Sequence, residues 1–368
     1  MKLTIQKDAI TSGLQTVQNV VGTRTSLPIL SNVLLRGLER RLEFTATDLD
    51  VTVHCGVEAD VKRQGAITVP LKKLLAIVRE LGAEIELDAD ERNVCTISSL
   101  ACVYKLNGIG PEEFPPKPQV GDGKSVRVSQ GALKRMLRQT SFAISKDETR
   151  YVLNGVYFSV SGARLSLVAT DGRRLAHTQD DADVKGDTKG EFIVPSKAVD
   201  ELNRLLATDG DAEIRFTDNY AEFTLRKPDS LPTVLTTKLI EGNYPNYKQV
   251  IPTEAKERIT LDREEFMQAL KRAEIMTSEK ANSVKLAFSK NSLVVTANSP
   301  EYGEARESLA INYKGREFAI AFNPRYLIEP LSALEEDEVY LELTDELSPG
   351  VIKVNGPFLY VVMPMRLA

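Results

Sequence analysis

Three stretches of the chain share one pattern: apolar and polar residues alternate, and then apolar residues fall at helical spacing. They are KLTIQKDAITSGLQTV from Lys2, SVRVSQGALKRMLRQT from Ser125 and ERITLDREEFMQALKRA from Glu257. Each predicts a short strand and then an amphipathic helix, with Asp8, Ser129 or Asp262 at the helix start. A second block recurs as SNVLLRGLERRLEFTATDLDVTVH from Ser31, LNGVYFSVSGARLSLVATDGRRLAHT from Leu153 and NSVKLAFSKNSLVVTANSPEYGEA from Asn282. It predicts a strand, a tight turn, a second strand ending in a small polar triplet, and a third strand. Leu42, Phe44 and Ala46 alternate with Glu43 and Thr45, as a half-buried strand requires. A third block, GAITVPLKKLLAIVREL from Gly65, GEFIVPSKAVDELNRLL from Gly190 and REFAIAFNPRYLIEPLSAL from Arg316, predicts a strand and a second helix. Pro70 and Pro195 open the first two of these helices, where a missing N–H is tolerated. Two or three further strands close each copy.

Matched positions lie roughly 125 residues apart, so the chain holds three whole copies with little left over. A unit of that size can bury its own core and is a domain rather than a solenoid repeat. The expected organisation is α+β: three repeated domains at 1–121, 122–252 and 253–368, each with two helices packed on antiparallel sheets of about seven or eight strands. Pro111 to Lys124 and Glu241 to Lys256, rich in Pro, Gly and polar residues, are the candidate linkers.

Hydrophobic residues make up 42% of the 368 and charged residues 27%, which suits a globular chain with a real core. The N-terminus lacks the continuous apolar stretch of a signal peptide, and no apolar run is long enough to cross a bilayer. A cytoplasmic protein without a membrane partner is expected. Cys55, Cys95 and Cys102 form no C-x-x-C pair and are odd in number, which argues against a disulfide framework or a zinc knuckle. The net charge of −5 speaks against tight DNA binding by bulk electrostatics. DNA would have to be met by local positive charge, or held by something other than affinity.

No phosphate-binding glycine loop, nucleophile elbow or H-E-x-x-H occurs. The only histidines, His54 and His177, occupy matching places in the first two copies, and Glu304 stands there in the third. Matching places point to shared architecture rather than to a metal site, which needs several converging ligands. Asp48 and Asp50 could suggest metal-dependent hydrolysis. Their echo, Thr170-Asp171-Gly172, keeps one carboxylate, and Asn298 replaces it in the third copy, so a turn role fits better. No enzyme, metal or cofactor is expected. A hydrolase using Asp48 and Asp50, or a repeat scaffold that binds peptides but never DNA, are the competing readings.

Positive charge collects on the helices, at Lys72, Lys73 and Arg79, at Lys134, Arg135 and Arg138, at Lys197 and Arg204, at Lys271 and Arg272, and at Arg325. Acidic residues lie largely on strands and loops. The asymmetry suggests helices facing a polyanion through loose, sequence-independent phosphate contacts.

Six motifs then point to a family. LPILSNVLL (Leu27 to Leu35), TATDLD (Thr45 to Asp50), RYVLNGV (Arg150 to Val156), VATDGRRLA (Val168 to Ala176), NYPNY (Asn243 to Tyr247) and YVVMPMRL (Tyr360 to Leu367) run in order along the whole chain. Together they resemble the beta subunit of bacterial DNA polymerase III. The resemblance implies a three-domain clamp, two copies of which form a six-domain ring around duplex DNA, with helices lining the hole. Such a ring tethers the replicative polymerase to its template. The implied partners are duplex DNA, a second copy, the DNA polymerase III alpha subunit, the clamp loader, and other polymerases and repair proteins that use short linear motifs.

The resemblance also implies a peptide pocket between the second and third domains. Carried over by motif, it comprises Leu153, Thr170, Gly172, Arg173, Arg174 and Leu175, then Pro245 and Val250, then Val362, Met363, Pro364, Met365 and Arg366. Apolar Leu, Val and Met surfaces suit an adaptable groove. Gln249 stands where the family commonly has Arg, and Arg173 where it commonly has His; Ala368 extends the usual end. Arg24, Arg150 and Lys197 match positions that touch DNA in relatives, while Asp147 replaces a common Gln. With the helix cations, the expected DNA contacts are Arg24, Lys72, Lys73, Arg135, Arg138, Arg150, Lys197 and Arg204. The implied dimer interface pairs the strand around Tyr104 and Leu106 with the helix end at Ile275 and Met276 of the partner, which hides an exposed edge.

Overall fold

The computed structural model describes residues 1–22, 27–121, 123–184, 188–228, 230–278 and 282–366. Six α-helices, two in each third of the chain, stand among them: α1 Lys7–Val17, α2 Leu71–Glu80, α3 Gln130–Thr140, α4 Ser196–Leu205, α5 Arg263–Glu274 and α6 Pro324–Ala333. The chain divides into two compact units, residues 1–134 with 182–240 and residues 135–181 with 241–368. The middle copy of the repeat is therefore shared between the units.

In the first unit a five-stranded sheet runs in the order 60–63, 2–6, 84–89, 94–99, 102–107. A nine-stranded sheet runs 183–184, 124–129, 211–216, 220–226, 233–238, 51–58, 41–47, 32–38, 65–70. The alternation read from the sequence sets the faces: Leu42, Phe44 and Ala46 are fully buried. Helix α1 buries Ile10, Gly13, Leu14 and Val17. Gly13 lies so close to strand Arg41–Thr47 that an added Cβ would fall 2.4 Å from the Phe44 ring. Helix α2 buries Leu71, Leu74, Leu75 and Val78 and turns Lys72, Lys73 and Arg79 outward.

In the second unit, strands 155–161, 164–170, 174–181, 359–362, 350–353, 338–343 and 257–262 lie side by side in that order. A four-stranded sheet runs 303–310, 292–299, 284–289, 318–322. Asp262 caps α5 by accepting from Glu265 N–H, and Asn323 caps α6 by accepting from Arg325 N–H.

Among the described residues the first two thirds each hold nine strands, more than the sequence predicts. The additions include the short strands Asp60–Arg63 and Asp183–Val184, which follow long strands after a single residue and are too brief to show a period of their own. Each unit joins strands from different copies of the repeat. In the first, Val51 pairs with Thr237 and His54 with Val234. In the second, Arg174 pairs with Val362 and His177 with Leu359.

Candidate functional site

The loop between strands Arg164–Thr170 and Arg174–Asp181 is held by its own side chains. Thr170 Oγ1 donates to the Arg174 carbonyl at 2.6 Å and accepts the Gly172 N–H at 3.1 Å. Asp171 Oδ1 accepts from Arg173 N–H at 2.9 Å and Arg174 N–H at 3.1 Å. Such local bonds replace the strand ladder where the chain reverses. Gly172 has φ +85°, and a Cβ on it would lie 2.6 Å from Arg150 Nη1. That space belongs to the Arg150 guanidinium, which also donates to the Asp171 carbonyl at 3.4 Å.

Arg174 fixes this turn to α6. Its side chain is only 9% exposed. Nε donates to Asp171 at 3.0 Å, Nη1 to Glu329, and Nη2 to the Phe142 carbonyl at 2.7 Å. The guanidinium lies 4.5 Å from the Tyr326 ring centre, and Tyr360 Oη donates to the Tyr326 carbonyl at 2.6 Å. A desolvated arginine is tolerable only with such complete pairing.

The terminal segment lies against this turn. Met363 N–H donates to the Arg173 carbonyl at 2.9 Å and Met365 N–H to the Ala321 carbonyl at 2.7 Å. These bonds leave Met363 and Met365 at the surface, 45% and 39% exposed. Pro364 is half-buried and Arg366 exposed. The 241–250 segment is anchored by rings: Tyr244 stacks on Tyr157 at 4.7 Å, and Tyr247 lies 5.8 Å from the His177 ring. Pro245 follows the first ring and Val250, which is exposed, ends the short helical turn begun by the second.

Residues 170–175 and 362–366 are thus tied together by direct bonds. Leu153 and Leu175 are buried beneath the surface. Val362, expected in the pocket, is wholly buried in the sheet, where it pairs with Arg174. Arg150, expected at DNA from the resemblance, sits against Gly172. Glu329, Tyr326 and Phe142 carry no signal in the sequence, since only folding brings them to Arg174.

The expected DNA cations differ in how free they are. Lys72 and Lys73 are exposed and have no ion pair among the described residues. Arg135 pairs with Asp180, Arg138 with Glu335 at 2.7 Å, and Lys197 with Asp48. All three cations are well exposed, and such pairs contribute about 0–1 kcal/mol, so a phosphate can displace the carboxylate. Arg204 is different. It donates to the buried Glu201 and to the carbonyls of Gln15, at 3.1 Å, and Thr16. The last turn of α1 has no basic residue of its own, so Arg204 caps that helix end. Arg24 lies outside the described residues.

Two of the outermost strands concern the expected dimer interface. Cys102–Asn107 is outermost in its sheet, with Tyr104 exposed and Leu106 half-buried. Gly303–Ala310 is outermost in another. Beyond α5, Ile275 is 74% exposed, and Met276 Cε lies 3.5 Å from where a Gly303 Cβ would be.

Asp48 bonds the N–H groups of Asp50 and Val51, and Asp50 pairs with Lys238. Burial holds His54 and His177 below the usual histidine value, and His54 Nδ1 bonds Thr45 Oγ1 at 2.9 Å. Burial pushes the Cys55 and Cys95 thiols up to about 12, which leaves them unreactive. Among the described residues no three His, Cys, Asp or Glu side chains could hold a metal ion, and no helix is long and apolar enough to cross a membrane.

Comparison with known proteins covers the chain from end to end. Models of the DNA polymerase III beta subunit match in order: N-terminal domain at residues 1–118, central domain at 127–246 and C-terminal domain at 248–366. The chain is 36% identical over 368 residues to the beta sliding clamp of Chlamydia muridarum, covering 100% of this chain and 99% of that one. It is 34% identical over 372 residues to the beta sliding clamp of Pseudomonas aeruginosa, with both covered fully at 100%. Its fold matches the solved DNA polymerase sliding clamp of Bacillus subtilis with a TM-score of 0.94 at 29% identity, over 100% of both chains. The sliding clamp of Pseudomonas aeruginosa solved bound to griselimycin matches with a TM-score of 0.94 at 34% identity, again over 100% of both.

Proposed function

The chain belongs to the DNA polymerase III beta subunit family of beta sliding clamps, and on that footing we propose that two copies close into a ring that holds duplex DNA by enclosure. The protein is a non-enzymatic processivity factor of DNA replication. The ring comprises domains 1–121, 122–252 and 253–368 from each copy. It works in the cytoplasm.

The observation that carries this reading is the state of the cations. Of the seven described candidates, Lys72 and Lys73 have no ion pair, three are held by exchangeable surface pairs, Arg150 sits at the groove and Arg204 is built into the fold. Tight non-specific binding needs many committed phosphate contacts. Few and exchangeable contacts on a chain of net charge −5 suit a protein that must stay on DNA yet slide.

The groove takes short linear motifs of the DNA polymerase III alpha subunit, the clamp loader, and other polymerases and repair proteins. Met363 and Met365 supply the adaptable apolar surface, and Thr170, Gly172, Arg173 and Pro245 form its rim. The two copies meet where Tyr104 and Leu106 of one face Ile275 and Met276 of the other.

Enclosure has a direct test. Clamp loaded onto a nicked circular plasmid by its loader stays with the DNA through gel filtration, and a single restriction cut releases it. Equal retention on circular and linearised plasmid would rule the reading out.

A further inference from the structure

The Arg174 clasp of the second unit has a counterpart in the first, and there the arginine is missing. Asp48 Oδ1 accepts the N–H groups of Asp50 and Val51 as Asp171 Oδ1 accepts those of Arg173 and Arg174. Val51 therefore answers to Arg174. Helices α1 and α3 are both 11 residues long and end equally far ahead of that aspartate, so Asn19 answers to Phe142 and Val20 to Ala143. Ile240 N–H bonds the Ile193 carbonyl as Met365 N–H bonds that of Ala321. Counting on from those carbonyls puts Lys197, Asp200 and Glu201 in the places of Arg325, Ile328 and Glu329.

The first unit has a cavity of about 200 Å³ lined by Asn19, Val20, Val51, Lys197, Asp200 and Glu201. Asn19, Val51 and Glu201 hold the places of Phe142, Arg174 and Glu329, which together form the second clasp. A guanidinium fills that place in the second unit. In the first, the valine ends short of it and the place is hollow. Val20, Val51 and Glu201 are buried and make the floor, while Asn19, Lys197 and Asp200 are exposed at the mouth. Phe142 and Ile328 are apolar, and their counterparts Asn19 and Asp200 are hydrogen-bonding groups. A void with purely apolar walls stays dry; this one is lined for a polar occupant.

The charge suits a cation. Arg204 bonds Glu201 through Nε at 3.1 Å and through Nη2. A carboxylate accepts about four hydrogen bonds, so Glu201 has capacity beyond these two. Lys197 is drawn off to Asp48. Asp48, Asp200 and Glu201 stand against Lys197 and Arg204, so one further positive charge balances them.

We propose that this cavity is a binding site for an alkylguanidinium, which enters between Asn19 and Asp200 and meets the Glu201 carboxylate as Arg174 meets Glu329. Neither a second copy nor a docked peptide is needed for it, since every residue involved lies in the first unit.

Propylguanidinium, titrated into the full-length protein with isotope-labelled valine methyls, tests the site by NMR. The methyl signals of Val20 and Val51 are expected to shift saturably, with a Kd on the order of 10 mM. The uncharged isostere propylurea leaves them in place. Val51→Arg fills the hole from within, as Arg174 does, and abolishes the response at Val20. Asp200→Asn, at the exposed mouth, keeps the fold and raises the Kd about 3-fold, so it carries the test if Val51→Arg does not fold. Agmatine and a blocked arginine, Nα-acetyl-arginine methylamide, then distinguish a free guanidino compound from the side chain of a partner by which binds more tightly. No shift at about 50 mM propylguanidinium, an equal shift from propylurea, or a response that persists in folded Val51→Arg overturns the assignment.

Discussion

Two turns of this protein, one in each unit, share a hydrogen-bonded frame yet present opposite surfaces. At Thr47-Asp48-Leu49-Asp50, Thr47 Oγ1 accepts the Leu49 N–H at 3.0 Å, and Asp48 Oδ1 accepts from Asp50 at 3.1 Å and Val51 at 2.7 Å. At Thr170-Asp171-Gly172-Arg173 the same atoms make the same bonds. The following strand is matched as well. Lys238 N–H reaches the Asp50 carbonyl at 2.9 Å, as Met363 N–H reaches that of Arg173 at 2.9 Å. Ile240 N–H bonds the Ile193 carbonyl at 3.0 Å, as Met365 N–H bonds that of Ala321 at 2.7 Å.

The side chains then diverge. The first turn carries Leu49 and is covered by the Asp50–Lys238 pair at 3.1 Å, over a floor of Thr52 and Thr237. The second carries Gly172, leaves Arg173 and Met363 exposed, and rests on Leu175 and Val362. Leu49 holds φ +81° where Gly172 holds +85°, so backbone conformation alone does not demand the glycine. At Gly172 an added side chain would in addition meet the Arg150 guanidinium, the end of a flexible side chain that would have to move aside.

The largest effect is expected at Gly172. Gly172→Leu copies the first turn into the second. The fold survives, as Leu49 shows it can, but the side chain displaces Arg150 and fills the rim. Affinity for a polymerase-derived peptide, followed by fluorescence anisotropy, is expected to fall about 100-fold. Undiminished binding would mean that the groove lies elsewhere.

A smaller effect distinguishes the two arginine clasps. Arg174 ties its turn to Glu329 and the Phe142 carbonyl, and Arg204 ties Glu201 to the end of α1. Replacing either by Ala strands a carboxylate and is expected to cost about 2 kcal/mol of stability, below the 3–5 of a fully buried pair because both sites are partly wet. Chemical denaturation reads that loss. Only Arg174→Ala also weakens peptide binding. Equal loss of binding in Arg204→Ala would refute the assignment of that clasp to structure alone.

The smallest change is expected from Leu49→Gly. Relief of the positive φ and the greater freedom of the unfolded chain oppose each other, so stability moves by less than about 1 kcal/mol. A large loss would show that the Leu49 side chain, 43% exposed, is packed more firmly than its surroundings indicate.

Much of this was legible in the sequence for a definite reason. Periods of two and 3.6 recur in three copies, and a repeated apolar pattern must bury itself in the same way each time. The strand–helix openings, the helix faces of Leu71, Leu74, Leu75 and Val78, and the turn role of Asp48 follow from neighbours close in the chain. The motifs around Thr170 and Met363 stood out because each is local.

Other features had no local sign. Asp60–Arg63 and Asp183–Val184 are too short to show a period. A cation on a helix reads alike whether it faces solvent, as Lys72 does, or caps another helix almost two hundred positions away, as Arg204 does. Val362 looked like groove surface because it adjoins Met363, yet its register opposite Arg174 turns it inward. The sequence by itself determined which residues must be buried and where each copy of the repeat begins, since both are periodicities along the chain. Only the tertiary structure decided which charges are spent on one another and which of two like turns stays open. Those outcomes depend on pairs such as Arg174–Glu329 and Asp50–Lys238, whose partners meet only after the strands between them have paired.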